Sequence, residues 1–284
     1  MDSLDYLGMI GVGKGWMLSY RSMCRWNSGF FYKHPALVKY DFYWRVEPDV
    51  SLLLQSNGIC TDTQAQVHFF CDINYDVFRF MRDNNLKYGF NMNILDDARS
   101  FPSLWSRTRD FITAYPELVH PDADLAWLID AEGEYNNCQF FSNFEIGDLT
   151  FFRSKETERY FEWLDCGGGF FYERFGDAPI HTLSTSLFAG KGETWWFRDI
   201  GYQHDINRHC PPDSSHRCSC EPTPLDENFF KLVPMESPQR KPNDTCIRQW
   251  LGGEWLEKKK GWSQEAERAF GGDGYHGYLA DGLS

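Results

Sequence analysis

The 284 residues are 42% hydrophobic and 24% charged, enough apolar material for one sizeable core or two small ones. The 28 basic residues stand against 41 acidic ones, and the net charge of -13 repels phosphate backbones and anionic bilayers, which argues against nucleic acid as a partner. No run of about 18 apolar residues occurs, and the opening MDSLDYLGMIGVGKG has neither a basic n-region nor a long apolar h-region.

In chain order, DFYWRVE alternates with period two, predicting a strand with Phe42, Trp44 and Val46 on one face and Tyr43, Arg45 and Glu47 on the other. The acidic run Glu47-Pro48-Asp49 sits at its C-terminal end. Val50–Gln66, which has no aromatic residue, interrupts a chain that is 17% aromatic. NYDVFRFMRDNN predicts a helix and KYGFNMNIL a strand. Ser103 is placed to cap a helix running to Tyr115, before Pro116, and Ser154 to cap one running to Asp165. A further helix opens at Asp177, with Pro179 in its first turn and Gly190 beyond its end, followed by a strand in TWWFRDIG. The alternation of helices and strands predicts an α/β sheet with ligands at the carboxyl ends of its strands. From 236 to 284 the chain is polar and glycine-rich and predicts a loosely ordered tail.

Glu47 and Asp49 flank a proline that restricts the local backbone, an arrangement suited to a hard divalent cation bridging a diphosphate. A plain surface turn is the alternative. HDINRHCPPDSSHRCSC brings together His204, His209, Cys210, His216, Cys218 and Cys220, which could form a zinc-stabilised module. Against zinc, Cys-x-Cys is tighter than the usual hook, and nine cysteines with the acceptor sequon at Asn243 point to an oxidising, secretory compartment where such residues pair. The odd count leaves one thiol over. Glu145 reads either as a site acid or as a paired structural one. Asp177 reads as a site acid or as a helix N-cap, and it shares a helix face with His181 four residues on.

The blocks SYRSMCRWNSGFFYKHPAL, YWRVEPDV, CDINYDVFRFMRDNN, KYGFNMNI, FFSNFEI, GGFFYERFGDAPIH and DIGYQHDINRHCP, in this order, closely resemble the fungal α-1,2-mannosyltransferases of glycosyltransferase family 15. The resemblance spans Ser19 to Pro211 and implies a GT-A-like mixed sheet flanked by helices. It further implies a retaining enzyme that moves mannose from GDP-mannose to a mannosyl glycan of glycoproteins, N- or O-linked, with Mn2+ as cofactor. By the same resemblance, Glu47 and His204 match the family's metal-binding residues and Glu145 the acid near the anomeric carbon. Asp177 matches an acid near the acceptor, while Tyr20, Arg45 and Asp49 fall in the donor and metal region. Relatives are type II membrane proteins of the Golgi lumen. A non-catalytic glycan-binding relative is a second class of reading, and the zinc-stabilised module a third.

Two departures from the family pattern carry expectations of their own. Removing Val50–Gln66 would restore the family's passage from EPD into the FFCDINYDVF segment. Val-Ser can be encoded by GTAAGT and Gln66 by CAG, so 50–66 is expected to be a retained intron or else a surface insertion, which the mature transcript would decide. In relatives an anchor, a stem and the first βα units precede the block that starts here at Ser19. Residues 1–18 are therefore expected to be an atypical N-terminus from a truncated start, and 19–235 a partial GT-A catalytic domain missing its N-terminal βα units.

Overall fold

The computed structural model describes residues 3–47, 68–69, 71–130, 132–190, 192–204, 207–211, 218–220 and 246–251. Asp49, the 50–66 insertion, His216 and most of the expected tail lie outside them. In chain order the elements are α1 (Ser3–Met9), α2 (Leu18–Gly29), β1 (Phe42–Val46), β2 (His68–Phe69), α3 (Val77–Asp83), β3 (Tyr88–Phe90), β4 (Asn93–Leu95) and α4 (Leu104–Ala114). They continue with β5 (Cys138–Phe140), β6 (Phe144–Asp148), α5 (Leu149–Phe152), α6 (Lys155–Cys166), α7 (Gly169–Tyr172) and α8 (Asp177–Phe188). The last are β7 (Thr194–Trp196), β8 (Tyr202–His204), β9 (Asn207–His209) and α9 (Cys246–Leu251).

A four-stranded sheet ordered β1-β6-β3-β7 forms the centre, antiparallel except for the parallel β3–β7 pair. It is the mixed α/β sheet the sequence predicts. Its register sets Arg45 opposite Glu145 and Tyr43 opposite Gly147, and opposed residues share a face. Gly147 has to be a glycine because any Cβ there would run into the Tyr43 and Phe152 rings. On the other face Trp44 packs edge-on against Phe69, Phe78 and Phe144, while Phe80 of α3 meets Trp195 and Phe197. The predicted alternation of β1 holds, but the face expected to seek the core is only half-buried. Tyr43, on the opposite face, is the buried residue, because Phe31 and Phe152 close over it.

Local signals account for most of the surrounding helices. Asp76 caps α3 through the backbone N–H groups of Phe78 and Arg79, and Ser154 caps α6 through that of Thr157. Ser103 precedes α4 as predicted but does not cap it; its Oγ accepts instead from Arg107 Nε. KYGFNMNIL divides into β3 and β4, with β4 leaving the central sheet to pair with β5. The tail expected to be loose contains α9, and the reason is covalent and apolar. Cys246 is bonded to Cys138, and Trp250 packs edge-on against Phe90 at 4.9 Å. Beyond the central sheet, β8 pairs with β2 and β9, and the bonds Cys71–Cys218 and Cys210–Cys220 tie this region down.

Candidate active site

Polar side chains converge at the C-terminal end of β1, between the sheet and the start of α8. Glu47 follows the last residue of β1, and its N–H donates to the Asn143 carbonyl at 2.9 Å, so the turn leaving β1 is stitched to the turn entering β6. Tyr202 of β8 donates its hydroxyl to the carbonyls of both Glu47 and Asn143, at 3.0 and 3.2 Å. The Glu47 carboxylate accepts from Arg45 on Oε1 and from Asn143 Nδ2 on Oε2 at 2.7 Å.

Arg45 links the cluster. One arm donates to Glu47 and the other to Asp177 Oδ2, which also accepts from Ser142 Oγ at 2.7 Å; Glu145 Oε1 lies 3.9 Å from the second arm. Burial works against the Arg45 charge, yet Asp177, Glu145 and Glu47 outweigh it and push the guanidinium pKa further up. Burial likewise disfavours an ionised Asp177, but Arg45, His181 and the hydrogen bonds from Arg45 and Ser142 prevail and hold its pKa at about 2. Asp177 opens α8 without serving as its N-cap, a position that Gly176 takes. Its side chain turns inward to Arg45 and Ser142.

Glu145, in the middle of β6, is wholly buried. Its Oε2 accepts from the Tyr88 hydroxyl at 2.8 Å and meets His181 Nδ1 at 2.9 Å, whereas Oε1 has no hydrogen-bond partner among the described residues. The Tyr43 hydroxyl also faces this carboxylate, and burial and the nearby Glu145 push its pKa well up. One guanidinium thus stands among three carboxylates, and the excess negative charge suits a cation or a positively charged transition state.

His204 ends β8 with Nε2 at 4.0 Å from Glu47 Oε2 and its ring against Phe141. Its Nδ1 is buried without a partner among the described residues. An imidazole nitrogen and a carboxylate oxygen at this separation lie within reach of one divalent ion, roughly 2.1 Å from each. Among the described residues no group of three or more His, Cys, Asp or Glu could hold a metal. Glu47 and His204 offer an ion two ligands of suitable chemistry, so its remaining ligands would have to come from elsewhere.

Tyr20 lies near Asp177. Its ring faces Lys14 Nζ at 4.9 Å and the Arg174 guanidinium at 5.7 Å. Burial, then the nearby Cys24 and Asp177, push its phenol pKa up. The zinc module does not form. Cys210, Cys218 and Cys220 are consumed in disulfides, so they present no thiolate, and His209 Nε2 meets the Arg198 carbonyl at 2.7 Å. Cys24 and Cys166 are free thiols among the described residues. Tyr88, Ser142, Asn143 and the buried Cys24 thiol beside Asp177 belong to the site although the sequence reading assigned them no role. Each lies inside a resemblance block, and that was their only signal.

A family model described as glycolipid 2-alpha-mannosyltransferase matches residues 8–57 and 62–232. The break at 58–61 falls inside the 50–66 span. Over 224 residues the chain is 42% identical to the O-glycoside alpha-1,2-mannosyltransferase omh1 of Schizosaccharomyces pombe, covering 78% of this chain and 52% of that protein. Over 211 residues it is 46% identical to the alpha-1,2 mannosyltransferase KTR1 of Saccharomyces cerevisiae, covering 72% and 49%. Core-mannan synthase A from Aspergillus fumigatus in its Mn/GDP form superposes with a TM-score of 0.71 at 40% identity, covering 88% of this chain and 62% of that one. The mannosyltransferase Ktr4p from S. cerevisiae in complex with GDP gives 0.73 at 36% identity, covering 90% and 62%. The chain spans about half the length of the curated relatives it matches. By sequence and by fold, it belongs to the fungal α-1,2-mannosyltransferases of glycosyltransferase family 15.

Proposed function

We propose that the chain carries the catalytic centre of a retaining α-1,2-mannosyltransferase that moves mannose from GDP-mannose to a mannosyl glycan of a glycoprotein, with Mn2+ as cofactor. The observation that carries this reading is the Arg45-linked set of Glu47, Glu145 and Asp177 with His204 alongside. The Mn/GDP and GDP forms of the solved relatives support it.

Glu47 and His204 would hold the metal, which when bound would neutralise the charge gathering on the departing diphosphate. Arg45 holds the Glu47 and Asp177 carboxylates at fixed separation by bonding each with a different arm. Buried and hydrogen-bonded, Glu145 would stabilise a positively charged mannosyl transition state, the role carboxylates play in glycosidases. Asp177, held ionised on the acceptor side, would anchor or deprotonate the attacking hydroxyl. Asp49 joins the donor and metal region in this reading by resemblance alone. The three disulfides support an oxidising compartment such as the Golgi lumen, where a type II membrane protein would work. No described helix is long and apolar enough to cross a membrane.

The test is GDP release and mannose transfer to an α-mannoside by this chain, with and without Mn2+. Turnover should require Mn2+ and fall by roughly two to three orders of magnitude in Glu47→Gln, as on loss of a charge-stabilising group. Mannoside binding with no transfer, indifferent to Mn2+, would replace this reading with the glycan-binding one.

A further inference from the structure

The contacts of His181 contain a proton count that the proposed chemistry leaves unused. The ring is fully buried in the middle of α8, with Nε2 at 3.0 Å from the Asn27 carbonyl of α2 and Nδ1 at 2.9 Å from Glu145 Oε2 of β6. A carbonyl oxygen only accepts, so Nε2 carries a hydrogen. A carboxylate also only accepts, so the second contact needs one more proton, either on Nδ1 or on Glu145 itself.

The neighbours decide where it sits. Arg45 of β1 lies 3.9 Å from Oε1, while Glu145 and Asp177, one turn before His181, favour a charged ring. Tyr88 of β3 donates to the same Oε2. Phe31 and Phe152 complete the wall around the ring, at centroid distances of 6.1 and 4.9 Å. Burial and Arg45 oppose the charge on His181, yet Glu145 and Asp177 outweigh them and raise its pKa above the usual 6.5.

We infer that His181 is a positioning residue. As a buried imidazolium braced on the Asn27 carbonyl, it fixes Oε2 of Glu145 together with Tyr88 and leaves Oε1 as the working oxygen of that carboxylate. The inference rests on the mannosyltransferase reading for what Oε1 works upon, but not for the protonation of the ring. The two oxygens of Glu145 differ accordingly: Oε2 has two hydrogen-bond partners, whereas Oε1 has no hydrogen bond among the described residues and only the Arg45 guanidinium 3.9 Å away. A carboxylate held at one oxygen keeps its other in a single place, which is what in-line attack or close charge stabilisation demands.

The test combines nitrogen NMR of the histidine-labelled chain with kinetics. The His181 resonances are those absent from His181→Gln. In a pH titration the second ring proton should be lost above the ordinary histidine midpoint of about 6.5 in the unmodified chain and in Tyr88→Phe. A ring that already holds one proton at that midpoint overturns the inference. In kinetics, folded His181→Gln should lose roughly tenfold to a hundredfold in kcat, the scale of a displaced reacting group, with KM for GDP-mannose within about twofold. Tyr88→Phe, which keeps the ring packing, should lose less. An unchanged kcat in folded His181→Gln overturns the positioning role. Absence of Mn2+-dependent turnover in the unmodified chain would instead overturn the mannosyltransferase reading, and the NMR result would still stand as a separate decision on the charged ring.

Discussion

At the scale of single residues, the site depends on charges that are buried and still ionised. Asp177 illustrates the balance: burial alone would keep its proton on, yet Arg45, His181 and Ser142 hold its pKa at about 2 against an ordinary 3.8. Linkage converts that depression into roughly 2 kcal/mol of stability. The sign follows from the lowered folded-state value: the contribution is present above the unfolded pKa and is lost as pH falls through the folded one. Urea unfolding of Asp177→Asn beside the unmodified chain should therefore show a gap at pH 6 that closes between about pH 4 and 2. A gap constant across that window would mean that Asp177 stabilises the fold through packing and not through its charge. Arg45 was legible as a strand residue facing the same way as Glu47. Nothing in its spacing could show that its second arm reaches a carboxylate 132 residues away.

At the scale of elements, the helices that carry the site are set by short local signals and placed by close packing. Ser154 caps α6, against which α2 packs, with Gly29 at the end of α2. A Cβ on Gly29 would run into the Phe161 ring of α6, so the small residue permits the approach that brings the Asn27 carbonyl to His181. Ser154→Ala should destabilise the chain by about 1 kcal/mol and Ser154→Gly by less, read from the urea midpoint at constant m-value. Equal losses in the two variants would show that the serine acts through something other than its cap. Ser103, with the same sequence signature, makes no cap bond, because its backbone is αR where that of Ser154 is extended, and its hydroxyl accepts from Arg107 instead. A cap is a competition among neighbours, and sequence names only the candidates.

At the scale of the whole molecule, covalent links hold the periphery to the sheet. Cys138–Cys246 closes a loop of 108 residues and seats Trp250 on Phe90, so a helix from a polar, glycine-rich region becomes part of the core. Replacing both cysteines by alanine should lower stability by about 2 to 5 kcal/mol, measured by urea unfolding under non-reducing conditions. The double variant should also make the segment around Trp250 an early site of proteolysis. Native-like protection there would show that the apolar contacts of α9 suffice alone.

The sequence by itself determined the alternation of helices and strands, the helix openings at Ser154 and Asp177, the strand ending at Glu47 and membership of the family. These depend on periodicity, on caps and on ordered blocks, all of them local along the chain. Only the tertiary structure decided that β4 leaves the central sheet, which cysteines pair, that Ser142, Asn143, Tyr88 and Cys24 join the site, and that His181 braces Glu145. Nearly all of those are contacts between residues far apart in sequence, selected by burial and by the tendency of buried polar groups to find partners. Spacing along a chain cannot express that selection.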